Sequence, residues 1–308
     1  QRGVSRPSAA CDIGAFEFDG VTTLTVSPVT DTYGNTTNLT ATLMSYGTGV
    51  AGKTINFTLN GVSASSSVTN SSGVATLNSV SLDDINAGVY PGGVGSGVGA
   101  SFAGDSIFVA SSDTDTLTIN QRAITVTAAT DTKVYDGDTT SSGMPTITLG
   151  SLASGDTDSW SQTFDNKNTG SNKTLTPAGS VSDGNGGGNY SITFTSVSTG
   201  TITAKGLTVS GITANSKVYD GDASAVLNTG SAALVGVVGL EDVTPNTVGA
   251  TGVFNDKNVA NGKTVTISGV VLNGADKDNY SLTQPTTTAN ITAKGLTVSG
   301  ITANSKVY

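Results

Sequence analysis

The 308-residue sequence has no histidine, a single cysteine, Cys11, and two glutamates, Glu17 and Glu241. Each shortage closes off a chemistry. Without histidine there is no Ser-His-Asp triad, no Cys-His pair and no histidine-ligated zinc. With one cysteine there is no disulfide within the chain. The longest run free of polar side chains, Ala232 to Leu240, is nine residues and includes two glycines, against the roughly 20 apolar residues a membrane-spanning helix needs. Charged residues are only 12%, and the balance is acidic, at -9. Clustered Lys and Arg, which nucleic acid and anionic membrane surfaces select, are missing. No nucleic-acid partner and no membrane span are expected. Apolar residues at helical three-and-four spacing are also lacking, so almost no helix is expected.

What the chain has is Thr, Ser, Val and 40 glycines, with apolar residues alternating with hydroxyl side chains in short runs such as Leu24-Thr-Val26 and Ile124-Thr-Val126. Alternation with a period of two builds half-buried strands. The sequence also repeats itself. Lys133-Val-Tyr-Asp-Gly-Asp138 returns as Lys217-Val-Tyr-Asp-Gly-Asp222 and begins again at Lys306-Val-Tyr308, at spacings of 84 and 89 residues. That period is the size of a small all-β domain rather than of a solenoid turn. The predicted class is all-β: tandem Ig-like or β-sandwich modules in an extended rod, each copy with its own core. The segments are 1–20, a tail or the remnant of an upstream domain; 21–122, a sandwich; 123–205 and 206–294, two repeats; and 295–308, the first strand of a further repeat, the whole being read as a piece of something longer.

Three resemblances follow from the motifs. Gln1-Arg-Gly-Val-Ser-Arg-Pro with Cys11-Asp-Ile-Gly-Ala-Phe-Glu17 resembles the closing turn of secreted parallel β-helix domains. Over 21–120, Tyr33-Gly-Asn-Thr-Thr-Asn-Leu-Thr-Ala-Thr42, Asn70-Ser-Ser-Gly-Val-Ala-Thr-Leu77 and Ala87-Gly-Val-Tyr90 are similar to bacterial Ig-like repeats. Its strands are predicted at 23–27, 38–44, 54–59, 66–69, 74–80, 98–102 and 116–120. In 123–308, Val134-Tyr-Asp-Gly137, Phe164-Asp-Asn-Lys-Asn168, Asn189-Tyr-Ser191 and Ile202-Thr-Ala-Lys205 recur as Val218-Tyr-Asp-Gly221, Phe254-Asn-Asp-Lys-Asn258, Asn279-Tyr-Ser281 and Ile291-Thr-Ala-Lys294. These resemble the YDG repeats of large bacterial secreted adhesins and exoproteins.

Individual residues carry further expectations. Tyr135, Phe164 and Tyr190, with Tyr219, Phe254 and Tyr280, should anchor the cores. Asp136-Gly137 and Asp220-Gly221 are residues of type I′ hairpin turns. Asp pairs two apart are turn formers first and candidate Ca2+ ligands second, with Asp138 and Asp222 the favoured positions; no other cofactor is implied. Lys133, Lys167 and Lys173, with Lys217, Lys257 and Lys263, are candidate donors for isopeptide crosslinks, or ordinary ion-pair partners. Exposed Trp160 or Tyr90 could stack on sugars.

The resemblance implies a non-catalytic stalk segment of a bacterial cell-surface or secreted adhesin-like protein. Its partners would be cell-surface or extracellular-matrix components, glycans among them. The alternatives are a self-associating surface fibre that polymerises by strand complementation through 295–308, and a carbohydrate-binding module. The Lys205-Gly206 step between repeats is too short to behave as a coil, so neighbouring modules should hold a narrow range of angles. At about 3.3 Å per strand residue, three modules in line would reach on the order of 100 Å.

Overall fold

The computed structural model describes residues 20–308. The resemblance to a β-helix closing turn falls on residues 1–20, almost wholly outside them. Among the described residues the chain is all-β, with thirty strands and one 3-10 turn at Lys277–Asn279. No helix among them is long and apolar enough to cross a membrane. The chain forms two compact units, one of Gln1–Thr127, Pro145–Ser161 and Pro177–Thr195, the other of Ala128–Met144, Gln162–Thr176 and Ser196–Tyr308. Strands Thr157–Phe164 and Gly170–Ser182 contribute residues to both.

In the first unit, Thr36–Ser45 pairs antiparallel with Thr22–Val26 and Val74–Ser81. A second sheet runs in the order Ser111–Asp115, Val98–Phe102, Thr54–Leu59, Val62–Val68. Alternation is the cause: in Thr54–Leu59 each second residue, Ile55, Phe57 and Leu59, is buried, because side chains on a strand face opposite ways in turn. Leu117–Asn120 pairs parallel with Val29–Thr32, and Arg122–Thr127 then pairs parallel with Tyr190–Thr195. One hydrophobic cluster runs from Leu24 through Leu39, Phe57 and Leu117 to Ile124, Trp160 and Tyr190. The seven predicted strands are present within a few residues. The short strands Val29–Thr32, Gly88–Tyr90 and Ser111–Asp115 escape prediction because their residues hold no more than two apolar positions, too few to show an alternation.

In the second unit, Thr132–Val134 pairs parallel with Val197–Thr203, and Lys205–Ser210 pairs parallel with Tyr280–Leu282. A five-stranded sheet follows in the order Lys217–Val218, Thr286–Thr292, Ala260–Ser268, Thr251–Phe254, Ser224–Ala225. The expectation of one private core per repeat is corrected here. Tyr135, Phe164, Leu175 and Ile202 form a single cluster with Leu207, Val243 and Tyr280, which come from the next repeat. The physical reason is the short step at Ala204: one continuous chain direction leaves the last strand of one repeat and enters the first strand of the next. The apolar ends of both therefore face each other and exclude water together.

Candidate functional site

The site with the most specific chemistry is a junction that occurs twice. Three tyrosines begin it. Tyr33, Tyr135 and Tyr219 each donate their backbone N–H to the last strand of their own segment, at Asn120 O (3.0 Å), Thr203 O (2.8 Å) and Thr292 O (2.8 Å). Short parallel pairings hold all three in the same place, between Val29–Thr32 and Leu117–Asn120, Thr132–Val134 and Val197–Thr203, and Lys217–Val218 and Thr286–Thr292.

Tyr135 points its ring edge-to-face at Tyr280, with centroids 5.4 Å apart and planes at 77°. Tyr33 meets Tyr190 likewise, at 5.8 Å and 74°. Such pairs contribute about 0.5–1.5 kcal/mol beyond burial. One carboxylate then serves both hydroxyls. Tyr135 and Tyr280 donate to Oε1 and Oε2 of Glu241; Tyr190 donates to Asp156 Oδ2 at 2.6 Å and Tyr33 reaches Oδ1 at 3.5 Å. Each receiving tyrosine also accepts a backbone N–H three residues before the acid, from Val238 (3.0 Å) and from Ala153 (2.7 Å).

An asparagine clamp closes each junction. Asn279 Oδ1 accepts the Thr169 N–H (3.0 Å) while its Nδ2 donates to Asn168 Oδ1 (3.3 Å). Asn189 Oδ1 accepts the Ala87 N–H (2.8 Å) while its Nδ2 donates to Asn86 Oδ1 (3.1 Å). Both clamping asparagines are buried, where an unpaired amide would cost about 1–3 kcal/mol.

The second junction adds a cation, Lys167 Nζ, 2.6 Å from Glu241 Oε1. Burial pushes the Glu241 carboxyl up, but hydrogen bonds from Lys167, Tyr135 and Tyr280 outweigh it, and the net shift is down. Burial and then the Glu241 carboxylate raise Tyr280 to about 12. A carboxylate held in its ionised form by three donors serves here as a shared acceptor that ties the donors together.

The YDG domain profile matches residues 120–199 and 203–289, more than half of the chain. The chain belongs to the YDG domain family. No curated protein matches it. Two solved structures match at low identity and low TM-score. "Ca2+-stabilized adhesin helps an Antarctic bacterium reach out and bind ice" is matched at 14% identity and TM-score 0.26, over 92% of this chain and 76% of that one. "Sidekick-1 immunoglobulin domains 1-5" is matched at 10% and 0.31, over 88% and 59%.

Within the two YDG segments, Tyr135, Phe164, Tyr190, Phe254 and Tyr280 are buried, while Tyr219 is half-buried. The Asp-Gly pairs do not form type I′ hairpins. Gly137 and Gly221 have positive φ, 90° and 92°, but Asp136 and Asp220 do not, and the strand before each pairs in parallel with the end of its repeat. The flanking carboxylates have another task. Lys133 Nζ sits 2.7 Å from Asp136 Oδ1 and 2.8 Å from Asp138 Oδ1, and Lys217 Nζ 2.8 Å from Asp222 Oδ1. Both ammonium groups lie over the rings of Phe164 and Phe254. The candidate calcium ligands Asp138 and Asp222 thus already face a cation, and no group of three potential metal ligands occurs among the described residues.

Trp160 is 8% exposed, packs edge-on against Phe194 and donates Nε1–H to Asp158. It presents no open face for a sugar, because its ring completes a core. The Tyr90 hydroxyl donates to Asn86 O. Among the crosslink candidates, Lys173 donates to Asn166 Oδ1 at 2.6 Å and lies 3.1 Å from Asp165 Oδ1; Lys263 lies 2.6 Å from Asp256 Oδ1. Sequence reasoning missed Tyr33, Asp156, Glu241 and the clamping role of Asn189 and Asn279. The recurring Asn-Tyr pair was the available signal. The acid was hidden because it changes type and stands eight residues before Phe164 but thirteen before Phe254.

Proposed function

We propose that this chain is a non-catalytic stalk segment of a large bacterial cell-surface or secreted adhesin-like protein, in which an Ig-like module (21–122) and YDG modules (123–205, 206–294) hold distal parts away from the cell. The observation that supports it most is the twofold occurrence of one junction, tyrosine, carboxylate, tyrosine and asparagine clamp, in the same order. A load-bearing array needs each module fixed to the next, and directional hydrogen bonds to a single carboxylate fix an angle as dispersion alone does not. The partners are cell-surface or extracellular-matrix components, bound by parts beyond the segment, and the location is extracellular. Small-angle scattering of the full chain tests the reading. A maximum dimension on the order of 100 Å or more, at about 3.3 Å per strand residue, with broadening when Asp156→Ala and Glu241→Ala are combined, is expected. A compact particle, or one whose profile ignores both substitutions, counts against it.

A second reading is a surface fibre. Residues 295–308 are identical to 206–219, and Leu296 is 88% exposed where Leu207 is fully buried. Exchange of one segment for the other between copies would join chains through strand pairing. Mass photometry at rising concentration tests it: oligomers that vanish on deleting 295–308 support the fibre, and a monomer at every concentration rejects it.

A further inference from the structure

The junction that is complete at Tyr33 and at Tyr135 is half-built at Tyr219. The tyrosine backbone is placed alike in all three. Tyr135 is 1% exposed and its hydroxyl is engaged. Tyr219 is half-buried and its hydroxyl has no partner among the described residues. The residues that complete the second junction have counterparts here in the same order: Lys167, Asn168 and Thr169 correspond to Lys257, Asn258 and Val259. Lys167 and Thr169 are half-buried, whereas Lys257, Asn258 and Val259 are all exposed. Lys257 forms no ion pair among the described residues.

The glycines agree. A side-chain carbon at Gly137 would come within 2.8 Å of Val238 Cγ1, and one at Gly34 within 2.4 Å of Ala153 Cβ, so the acid-bearing loop of the following module presses on both; at Gly221 the same space is open. A cleft of about 370 Å³ lies here, lined by Tyr219, Asn258, Val259, Ala293, Lys294 and Leu296.

We infer that Tyr219, Lys257 and Asn258 form a recognition face for one partner, a further YDG module. It would present an acidic side chain three residues after a small or branched apolar residue, and a buried Asn-Tyr strand start. The acid would accept from the Tyr219 hydroxyl and pair with Lys257. The Asn would clamp Asn258 and Val259, and the following strand would pair with residues 294–299 as Tyr280–Leu282 pairs with Lys205–Ser210. Charge supports this occupant: an exposed lysine without an ion pair and a phenol hydroxyl without a partner, at the positions that hold Glu241 in the second junction, are complementary to a carboxylate and to nothing apolar. The inference goes beyond the stalk reading, since it concerns what this face binds and holds whether or not the array carries load.

The test continues the full chain by placing a second copy of residues 220–294 after Tyr308, which turns the duplicated segment into a whole module. Trypsin cleavage after Lys294 and the thermal midpoint are read in the 308-residue chain and in the extended one, each with and without Tyr219→Phe and Lys257→Glu. Cleavage should slow at least about tenfold in the extended chain, as protection follows the population of the open form. Either substitution should restore cleavage there while leaving the 308-residue chain unchanged. Lys257 is exposed, so its replacement does not compromise folding and keeps the test valid if Tyr219→Phe is disruptive. Two results overturn the inference. One is an extended chain whose added module shows the amide protection of Thr264–Ile267 but whose cleavage ignores both substitutions. The other is an equal effect of the substitutions in both chains.

Discussion

Tyr135 and Tyr280, 145 residues apart in sequence, stand edge-to-face at 5.4 Å and share the two oxygens of the Glu241 carboxylate. A single side chain thereby couples the end of one YDG module to the body of the next, and its removal should be felt on both.

Glu241→Ala leaves two buried phenol hydroxyls and Lys167 without their acceptor. A loss of about 1–3 kcal/mol is expected, the usual cost of orphaned buried donors, reduced on the Lys167 side because that side chain is partly in water. Urea unfolding followed by hydrogen exchange at Tyr280–Leu282 measures it. Glu241→Gln, which keeps an acceptor, should recover part of the loss, and a variant as stable as the parent would refute the shared-acceptor role.

Alkali should loosen the same junction. Burial first, then the Glu241 carboxylate, holds Tyr280 at about 12, above its ordinary 10.0. A raised folded value contributes stability that is complete below pH 10 and is lost as pH climbs through about 12. Phenolate absorbance followed against pH should therefore show late-titrating tyrosine whose ionisation coincides with loss of structure. Early, independent titration of all tyrosines is the contrary result.

Acid acts at the other end of the scale. Hydrogen bonds from Lys133 to Asp138 and from Lys217 to Asp222, helped by Thr140 and Ser224, hold both carboxyls at about 2 against an ordinary 3.8. A lowered folded value contributes stability above the unfolded one and loses it as pH falls from about 4 through 2. Carboxyl resonances of these two residues should titrate near 2, as should that of Asp105, which Lys53 and the Ile107 and Phe108 amides hold equally low, and a midpoint near the ordinary 3.8 would show that the lysine contacts do not persist in solution. Added Ca2+ should not shift them at neutral pH, since a lysine ammonium already neutralises each carboxylate at Oδ1.

Gly137→Ala and Gly221→Ala separate backbone strain from packing. Both positions have positive φ, which costs an L-residue roughly 1–2 kcal/mol. Only at Gly137 does the new methyl meet Val238, so the thermal midpoint should fall further for Gly137→Ala. Equal losses would show that the loop around Val238 does not press on the turn.

Much of this protein was fixed by local pattern. Alternating Thr and Val made strands whatever their partners, the recurrence of Lys-Val-Tyr-Asp-Gly-Asp marked the modules, and the recurring motif aromatics, Tyr219 apart, are buried. Those results need only the two-residue period of a strand and the cost of wetting a ring. Which rings meet, and that Asp156 and Glu241 do the same work, was left to the tertiary structure. Hydrogen bonding depends on distance and direction, and loops of different length delivered unlike acids to like places. The one-core-per-repeat expectation failed for the same reason: a short step between strands leaves apolar ends open, and only packing in three dimensions could decide that neighbouring modules close them together.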